Sequence, residues 1–348
     1  MQISMMLSYS GGFTSAADRV AELEREGLDL VWVAEAYGFD APSLMGYLAA
    51  KTERVQIAAG ILPIYTRTPT LIAMTAAGID ELSGGRFQLG LGASGPQVIE
   101  GWHGVEYAAP LARTREVVEI CRKVWAREEP LSHEGKIFQL PLPPGRGTGL
   151  GKVLKIIGRP RAGIPIWLAS LGERNVEMTA EIADGWLPMM FVPEKARSIW
   201  GKALDAGTAR RSPSLGPLMI SAGGPLAIGE GPEVRALADV MRPMLALYIG
   251  GMGAKGRNFY NDVVRRYGYE KEASEIQECY LEGAKDKAAA LVPDELVAAT
   301  SLCGPAGYVR ERVAAFAEAG VTHLQVAPIP TGDQTELSLV AELRDIVA

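Results

Sequence analysis

Apolar and polar positions along this chain follow two rhythms. Short, near-continuous apolar runs, such as Leu30-Val31-Trp32-Val33 and Ile166-Trp167-Leu168-Ala169, recur at intervals. Between them lie longer stretches in which apolar residues return every three or four positions, as in Val20 and Leu23 or Val309, Val313 and Phe316. The first rhythm predicts parallel strands covered on both faces, and the second predicts amphipathic helices. Strands are expected at 2–7, 28–33, 55–61, 86–91, 164–169, 185–190, 217–223 and 321–327. Helices are expected at 15–26, 41–51, 69–82, 110–126, 174–183, 194–206 and 306–319. Eight strands in alternation with helices predict an α/β fold of the (β/α)8 TIM-barrel type rather than a doubly wound sheet. Gly27 and Gly320 stand at helix-to-strand turns, where a C-cap takes positive φ.

Three stretches interrupt the repeat, at 92–109, 127–163 and 224–300. The second holds Pro141, Pro143 and Pro144 and a strand-like Lys136-Ile137-Phe138-Gln139-Leu140; the third has room for about three helices before the last unit. The expectation is one domain, 1–348, with insertions after strands 4 and 7 that roof a common pocket. The alternative for the longest is an interface between subunits.

Composition narrows the class. A chain of 348 residues, 48% hydrophobic and 22% charged, is typical of a globular protein. A net charge of −6 argues against nucleic acid as the main partner. Cys121, Cys279 and Cys303 are odd in number and far apart, and His103, His133 and His323 are scattered, so neither a disulfide framework nor a metal site is expected. Residues 1–7 lack a basic n-region and no apolar stretch approaches a membrane span. A cytoplasmic protein is expected.

The candidate chemistry gathers at strand ends. Ile57-Ala58-Ala59-Gly60-Ile61 breaks at a glycine and passes through a Pro- and Thr-rich loop to Thr68-Pro69, while the adjacent strand ends Leu89-Gly90-Leu91-Gly92. Two glycine-bearing strand ends on the ligand-binding face of a parallel sheet predict close backbone approach to a flat ligand. Gly92, Ser94 and Gly95 continue that approach. The glycine rhythm there lacks the third glycine of a dinucleotide fingerprint. Glu35, at the mouth of an apolar strand, is expected to be a hydrogen-bonding anchor or a proton donor, with Tyr37 assisting. The turn Ser170-Leu171-Gly172 opens a helix and aims backbone N–H groups at one point, which suits phosphate; Arg174 would offset the charge of Glu173. Lys152, Lys155, Arg159 and Arg161 form a basic cluster that is either solvated surface or a contact for an acidic cofactor tail. No nucleophile elbow, triad or ligand set is visible. Such residues hold a redox cofactor better than they hydrolyse.

Taken together, the residues resemble the luciferase-like superfamily, in its coenzyme F420-dependent branch. The likeness lies in Ala34-Glu35-Ala36-Tyr37, in Ala59-Gly60-Ile61 through Thr68-Pro69, in Asp80-Glu81-Leu82-Ser83-Gly84-Gly85-Arg86 with Leu89 to Gly92, and in Ala180-Glu181-Ile182-Ala183-Asp184-Gly185-Trp186. The resemblance implies a luciferase-like barrel and an oxidoreductase that passes a hydride between F420 and a small organic substrate. It also implies a non-prolyl cis peptide at Gly60–Ile61 backing the deazaflavin ring, phosphate held at Ser170 to Arg174, and a homodimer or larger homo-oligomer. Relatives often carry Gly-Pro where this chain has Gly172-Glu173, and a histidine where it has Ala36, which argues against a direct transfer of their substrates. The rival implications are an FMN-dependent monooxygenase on the same fold and a cofactor-binding barrel without turnover. Tyr248, Met252, Asn258, Phe259 and Tyr260 of the longest insertion are expected to shape the substrate pocket.

Overall fold

A computed structural model describes residues 1–9, 11–253 and 255–348. Eight parallel strands form the barrel: β1 Gln2–Met6, β2 Leu30–Val33, β3 Gln56–Ala59, β4 Phe87–Gly92, β5 Ile166–Ala169, β6 Gly185–Leu187, β7 Met219–Ile228 and β8 His323–Pro328. Each pairs with the next, and β8 pairs with β1 (Gln2 opposite His323, Ser4 opposite Gln325), so the sheet closes. The surrounding helices are α1 Phe13–Leu23, α2 Ala41–Lys51, α3 Pro69–Leu82, α4 Pro110–Ala126, α5 Glu173–Ile182, α6 Pro193–Thr208, α7 Ala306–Glu318 and α8 Glu336–Val347.

Strand alternation sorts the core into two. Ile3, Met5, Val31, Val33, Ile57 and Leu168 face the helices in one large cluster. Leu30, Trp32, Ala58 and Trp167 form a separate cluster in the barrel interior. The interior is polar below it: Trp167 Nε1 donates to Gln88, Gln88 donates to Gln56, and the His323 ring meets Trp167 edge-on at 4.9 Å. Gly185 is required here because a Cβ would overlap the Trp167 indole.

Burial holds the His323 imidazole down, at about 4, although Asp29 pulls it upward. The unfolded chain takes up this proton below about pH 6.5, whereas the folded chain resists it until its own pKa. Stability should therefore fall between pH 6.5 and 4 by about 1.4 kcal/mol per pH unit from this one group. Urea melts at pH 7, 6 and 5 should show that slope, and His323→Gln should flatten it.

Several boundaries differ from the sequence reading. β7 runs on to Ile228 instead of stopping at 223, because Gly223 and Gly224 lie against the Gln325 and Thr300 carbonyls and keep the backbone extended through Pro225. Its far end pairs with a short strand, Leu302–Gly304, that closes the long insertion. The insertion holds a string of short helices, from Pro232–Ala236 to Asp294–Ala299, rather than three. α8 was not expected, although Thr335 and Ser338 form a capping box at its start. The strand-like 136–140 stretch contributes one arm of a small antiparallel hairpin, His133–Glu134 with Gln139–Leu140.

Candidate active site

At the C-terminal ends of the strands the inward-facing positions become small. Gly60, Gly92 and Ala169 continue the faces that carry Ala58, Gly90 and Trp167 lower down. Beneath them Trp32 and Trp167 meet edge-to-face at 5.2 Å, giving the mouth an apolar floor. Met6, on the same inner face of β1, is 38% exposed, so the mouth is open above that floor.

The Gly60–Ile61 peptide is cis. Beyond it the chain resumes pairing with β4, Leu62 opposite Leu91 and Pro63 opposite Gly92. The Ala59 carbonyl lies against Gly90, where any Cβ would overlap the oxygen. Ile61 lies over Gly92, whose Cβ would come within 2.7 Å of Ile61 Cδ1 and 3.4 Å of Ala169 Cβ. Gly90 is therefore explained by the neighbouring backbone and Gly92 by the side chains of Ile61 and Ala169.

Glu35 follows β2 and is tied on every side. Both carboxylate oxygens accept from Arg67, Oε2 at 2.9 Å, and Oε2 also accepts from the Ala41 N–H at the start of α2. The side chains of Arg67 and Glu35 are 14% and 9% exposed. This pair locks the loop after β2 to the loop after β3. With both oxygens accepting from Arg67 and one also from a backbone N–H, the geometry of Glu35 is that of an anchor between two loops. Arg67 was missed as a functional residue; its only signal was a lone cation in a Thr- and Pro-rich loop beside the strand end that carries Glu35. Tyr37, two residues on, stands free at the rim and is 69% exposed.

In the turn after β5, Trp186 Nε1 donates to the Ser170 carbonyl and Trp200 Nε1 donates to the Leu171 carbonyl, each at 2.9 Å. The Ser170 hydroxyl is buried against Thr179 Oγ1 at 2.8 Å, so it is not offered to a ligand. These peptides are trans. Because C=O and N–H point opposite ways across a trans peptide, the Leu171 and Gly172 N–H groups face away from the indoles. Gly172 is the N-cap of α5, with no side chain capping it. The turn thus presents backbone N–H groups at a helix start with no side chain capping them, the arrangement that suits an anion in general. Arg174 does not join it. One step into α5 it faces an outer crevice shared with Arg115, Glu177, Glu181 and Arg210, which corrects its expected place beside the turn.

Ser94 adopts a left-handed conformation, φ 59°, and Gly95 caps a short helix, Pro96–Gly101. The Ser94 carbonyl accepts from Tyr107 Oη at 3.4 Å. Tyr107 stacks on Tyr65 at 5.0 Å, and Tyr248 packs on Tyr260 at 4.7 Å. Burial raises the Tyr260 phenol, with Tyr248 and Tyr107 adding to the effect, while burial and then Tyr37 raise that of Tyr248. Tyrosines from the loops after β2, β3 and β4 and from the long insertion are therefore neighbours. Tyr65 and Tyr107 escaped the sequence reading, since single tyrosines in loops carry no pattern. Of the other insertion residues, Phe259 lies over Gly172, Met252 approaches Gly95, and Asn258 is buried as a helix cap.

The basic cluster divides into a structural arginine and exposed cations. Arg161 forks onto the buried Asp80 at 2.7 and 3.1 Å and also reaches the carbonyl of Phe87, at the N-terminal end of the barrel. Lys155 donates to the Glu128 carbonyl, and Lys152 and Arg159 are exposed. Arg86, at the end of the same Asp80–Arg86 run, donates to the carbonyls of Ala49, Thr52, Val55 and Ser83. Arg161 and Arg86 thus clamp the face opposite the mouth. Arg161→Ala should cost about 1–3 kcal/mol, discounted for the half-exposed arginine, whereas Lys152→Ala and Arg159→Ala should stay within about 0.5 kcal/mol in the same denaturant melts.

Among the described residues no group of histidine, cysteine and carboxylate side chains could hold a metal ion, and no helix is long and apolar enough to cross a membrane. The closed ring of eight parallel strands with helices between them defines the class of (β/α)8 TIM barrels, here with a glycine-lined mouth. Residues 1–323 match the model of the luciferase-like monooxygenase family, and the chain belongs to that family. It is 43% identical over 331 residues to a Mycobacterium tuberculosis protein named "Putative coenzyme F420-dependent oxidoreductase", covering 94% of each chain. It is 27% identical to the 5,10-methylenetetrahydromethanopterin reductase of Archaeoglobus fulgidus, over 93% of this chain and 92% of that one. Among solved structures it resembles the coenzyme F420-dependent tetrahydromethanopterin reductase of Methanopyrus kandleri, with a TM-score of 0.77 at 21% identity, covering 99% and 98% of the two chains.

Proposed function

We propose that this protein is an oxidoreductase that transfers a hydride between coenzyme F420 and a small organic substrate. The observation that carries the reading is the 43% identity, over nearly the whole of both chains, to a relative named for that coenzyme. The fit of the residues supports it. The bulge at Gly60 and Ile61 would back a deazaflavin ring, Gly92, Ser94 and Gly95 would approach its edge, and the Leu171 and Gly172 N–H groups would receive its phosphate.

The coenzyme supplies the two-electron hydride chemistry when bound. The chain's own work is to orient and to exclude water, with the Trp32–Trp167 floor below and the tyrosines above. Glu35, held by Arg67, serves as the anchor of the two loops, and Tyr37 is left to meet the substrate. The reading also carries a cytoplasmic homo-oligomer, for which sedimentation velocity tests the oligomeric part.

Titration with oxidised F420 should quench its fluorescence with micromolar affinity or better. No quench, together with a yellow complex on adding FMN, would replace this reading with the flavin monooxygenase one. Binding without turnover of any carbonyl, imine or alcohol would leave a cofactor-binding barrel.

A further inference from the structure

We infer that Gln325 positions the substrate, its side-chain amide meeting a carbonyl or hydroxyl oxygen held in the barrel mouth. This inference rests on the hydride-transfer reading and names the substrate group that the chain recognises. Its first basis is where Gln325 stands. Leu324 and Val326 belong to the outer core, so Gln325 lies on the inner face of β8, as does His323, whose ring meets Trp167. Along that face exposure rises toward the C-terminal end: His323 is buried, Gln325 is partly buried and Ala327 is exposed. Gln325 is therefore reached through the mouth. Strand register, with the stagger of about one residue per strand in an eight-stranded barrel, puts Gln325 in one layer with Trp32, Gly90 and Leu187. The layer above holds Met6, Gly60, Ala169 and Gly223. Two glycines, an alanine and a methionine cannot fill a barrel interior, so a cleft opens directly over the amide.

The second basis is what surrounds the amide. Among the described residues the Gln325 side chain makes no hydrogen bond, and its polar atoms are not sealed from solvent. Trp32 Nε1 in the same layer, and Ser4 Oγ and Ser221 Oγ in the layer below, are buried without a partner. Buried polar atoms left unpaired are costly, so the wall formed by β7, β8, β1 and β2 is the one that offers hydrogen bonds inward. In the closed ring of eight strands β8 stands opposite β4, where Gly92 and the Gly60–Ile61 bulge would support the coenzyme ring. A substrate on the exposed face of that ring is thus turned toward Gln325. An amide suits both members of a ketone–alcohol pair: its N–H donates to a carbonyl oxygen, and its own oxygen accepts from a hydroxyl.

Cyclohexanone and methylenecyclohexane, alike in shape and differing in whether an oxygen is present, test the inference. With oxidised F420 bound, neither can accept a hydride, so NMR titration of the full-length protein reads binding alone. Gln325→Met and Gln325→Leu should each weaken cyclohexanone roughly three- to tenfold, the worth of one hydrogen bond, and leave methylenecyclohexane within about twofold. Melting temperature should hold, since the amide has no partner to lose. The Gln325 side-chain amide resonance, identified by its absence from both variants, should move with cyclohexanone and not with methylenecyclohexane. Unchanged ketone affinity in both variants, equal weakening of both ligands, or no ketone binding by the parent would overturn the inference. F420 quenching in the same samples separates the two readings. Quenching lost in the variants with ketone binding retained would make Gln325 a coenzyme contact and overturn its substrate role. Absent quenching in the parent sinks the coenzyme reading, and the amide resonance of the unloaded protein then decides Gln325 by itself.

Discussion

Gly90→Ala should be among the most damaging single-methyl additions in this protein. The new Cβ would overlap the Ala59 carbonyl oxygen, and that oxygen belongs to the backbone of the kinked strand end, so no side-chain rotation can relieve it. Overpacking in a rigid core costs about 1–3 kcal/mol and occasionally more, and a backbone-on-backbone clash belongs at the upper end. About 3 kcal/mol corresponds to a melting temperature lower by roughly 4 °C for a chain of this length. Gly78→Ala is the control. Gly78 lies within α3 with nothing near its missing Cβ, so alanine there should stabilise by about 0.5–1 kcal/mol. Thermal melts of the two variants should move in opposite directions. If Gly90→Ala melts with the parent, the barrel mouth is softer than its geometry states.

Arg67→Met should destabilise by about 3–5 kcal/mol, because it leaves a largely buried carboxylate without its partner. Two further results separate this cause from lost packing. The variant should regain stability as the pH is lowered, since protonation removes the unpaired charge. The double variant Arg67→Met, Glu35→Gln should be more stable than the single one, because a glutamine oxygen still accepts from Ala41 N–H without carrying charge. A double variant as unstable as Arg67→Met alone would mean that the arginine acts through its stem and not through the ion pair.

The barrel was legible because its strands are covered on both faces and its helices on one. All eight strand sites in the sequence reading hold a strand. What failed locally had local reasons. Gly223-Gly224-Pro225 reads as a stop, yet its glycines allow two carbonyls close enough to keep β7 straight. Helices of five or six residues in the long insertion are too short to show a helical period. At the site, Glu35 was legible as a buried charge in need of a partner, whereas Gly90 was expected to let a flat ligand approach and lies instead against the Ala59 carbonyl. Neither Arg67 nor the Ala59 carbonyl could be named, since pairing across adjacent strands is a property of register. Asp80 to Arg86 shows the converse case, a conspicuous run whose work is to clamp the face away from the mouth, with Arg161 reaching it from 81 residues further on.

Periodicity, turn glycines and strand-end residue types belong to the linear chain, because each reflects a preference of a few neighbouring residues for burial or for a backbone angle. They determined the barrel and the end of it at which small residues gather. Which charges cancel, which N–H groups stay free after Trp186 and Trp200 take the carbonyls, and which tyrosines meet above the strands were decided only by tertiary structure. Each of those depends on distances between residues that lie dozens of positions apart, and folding alone sets such distances.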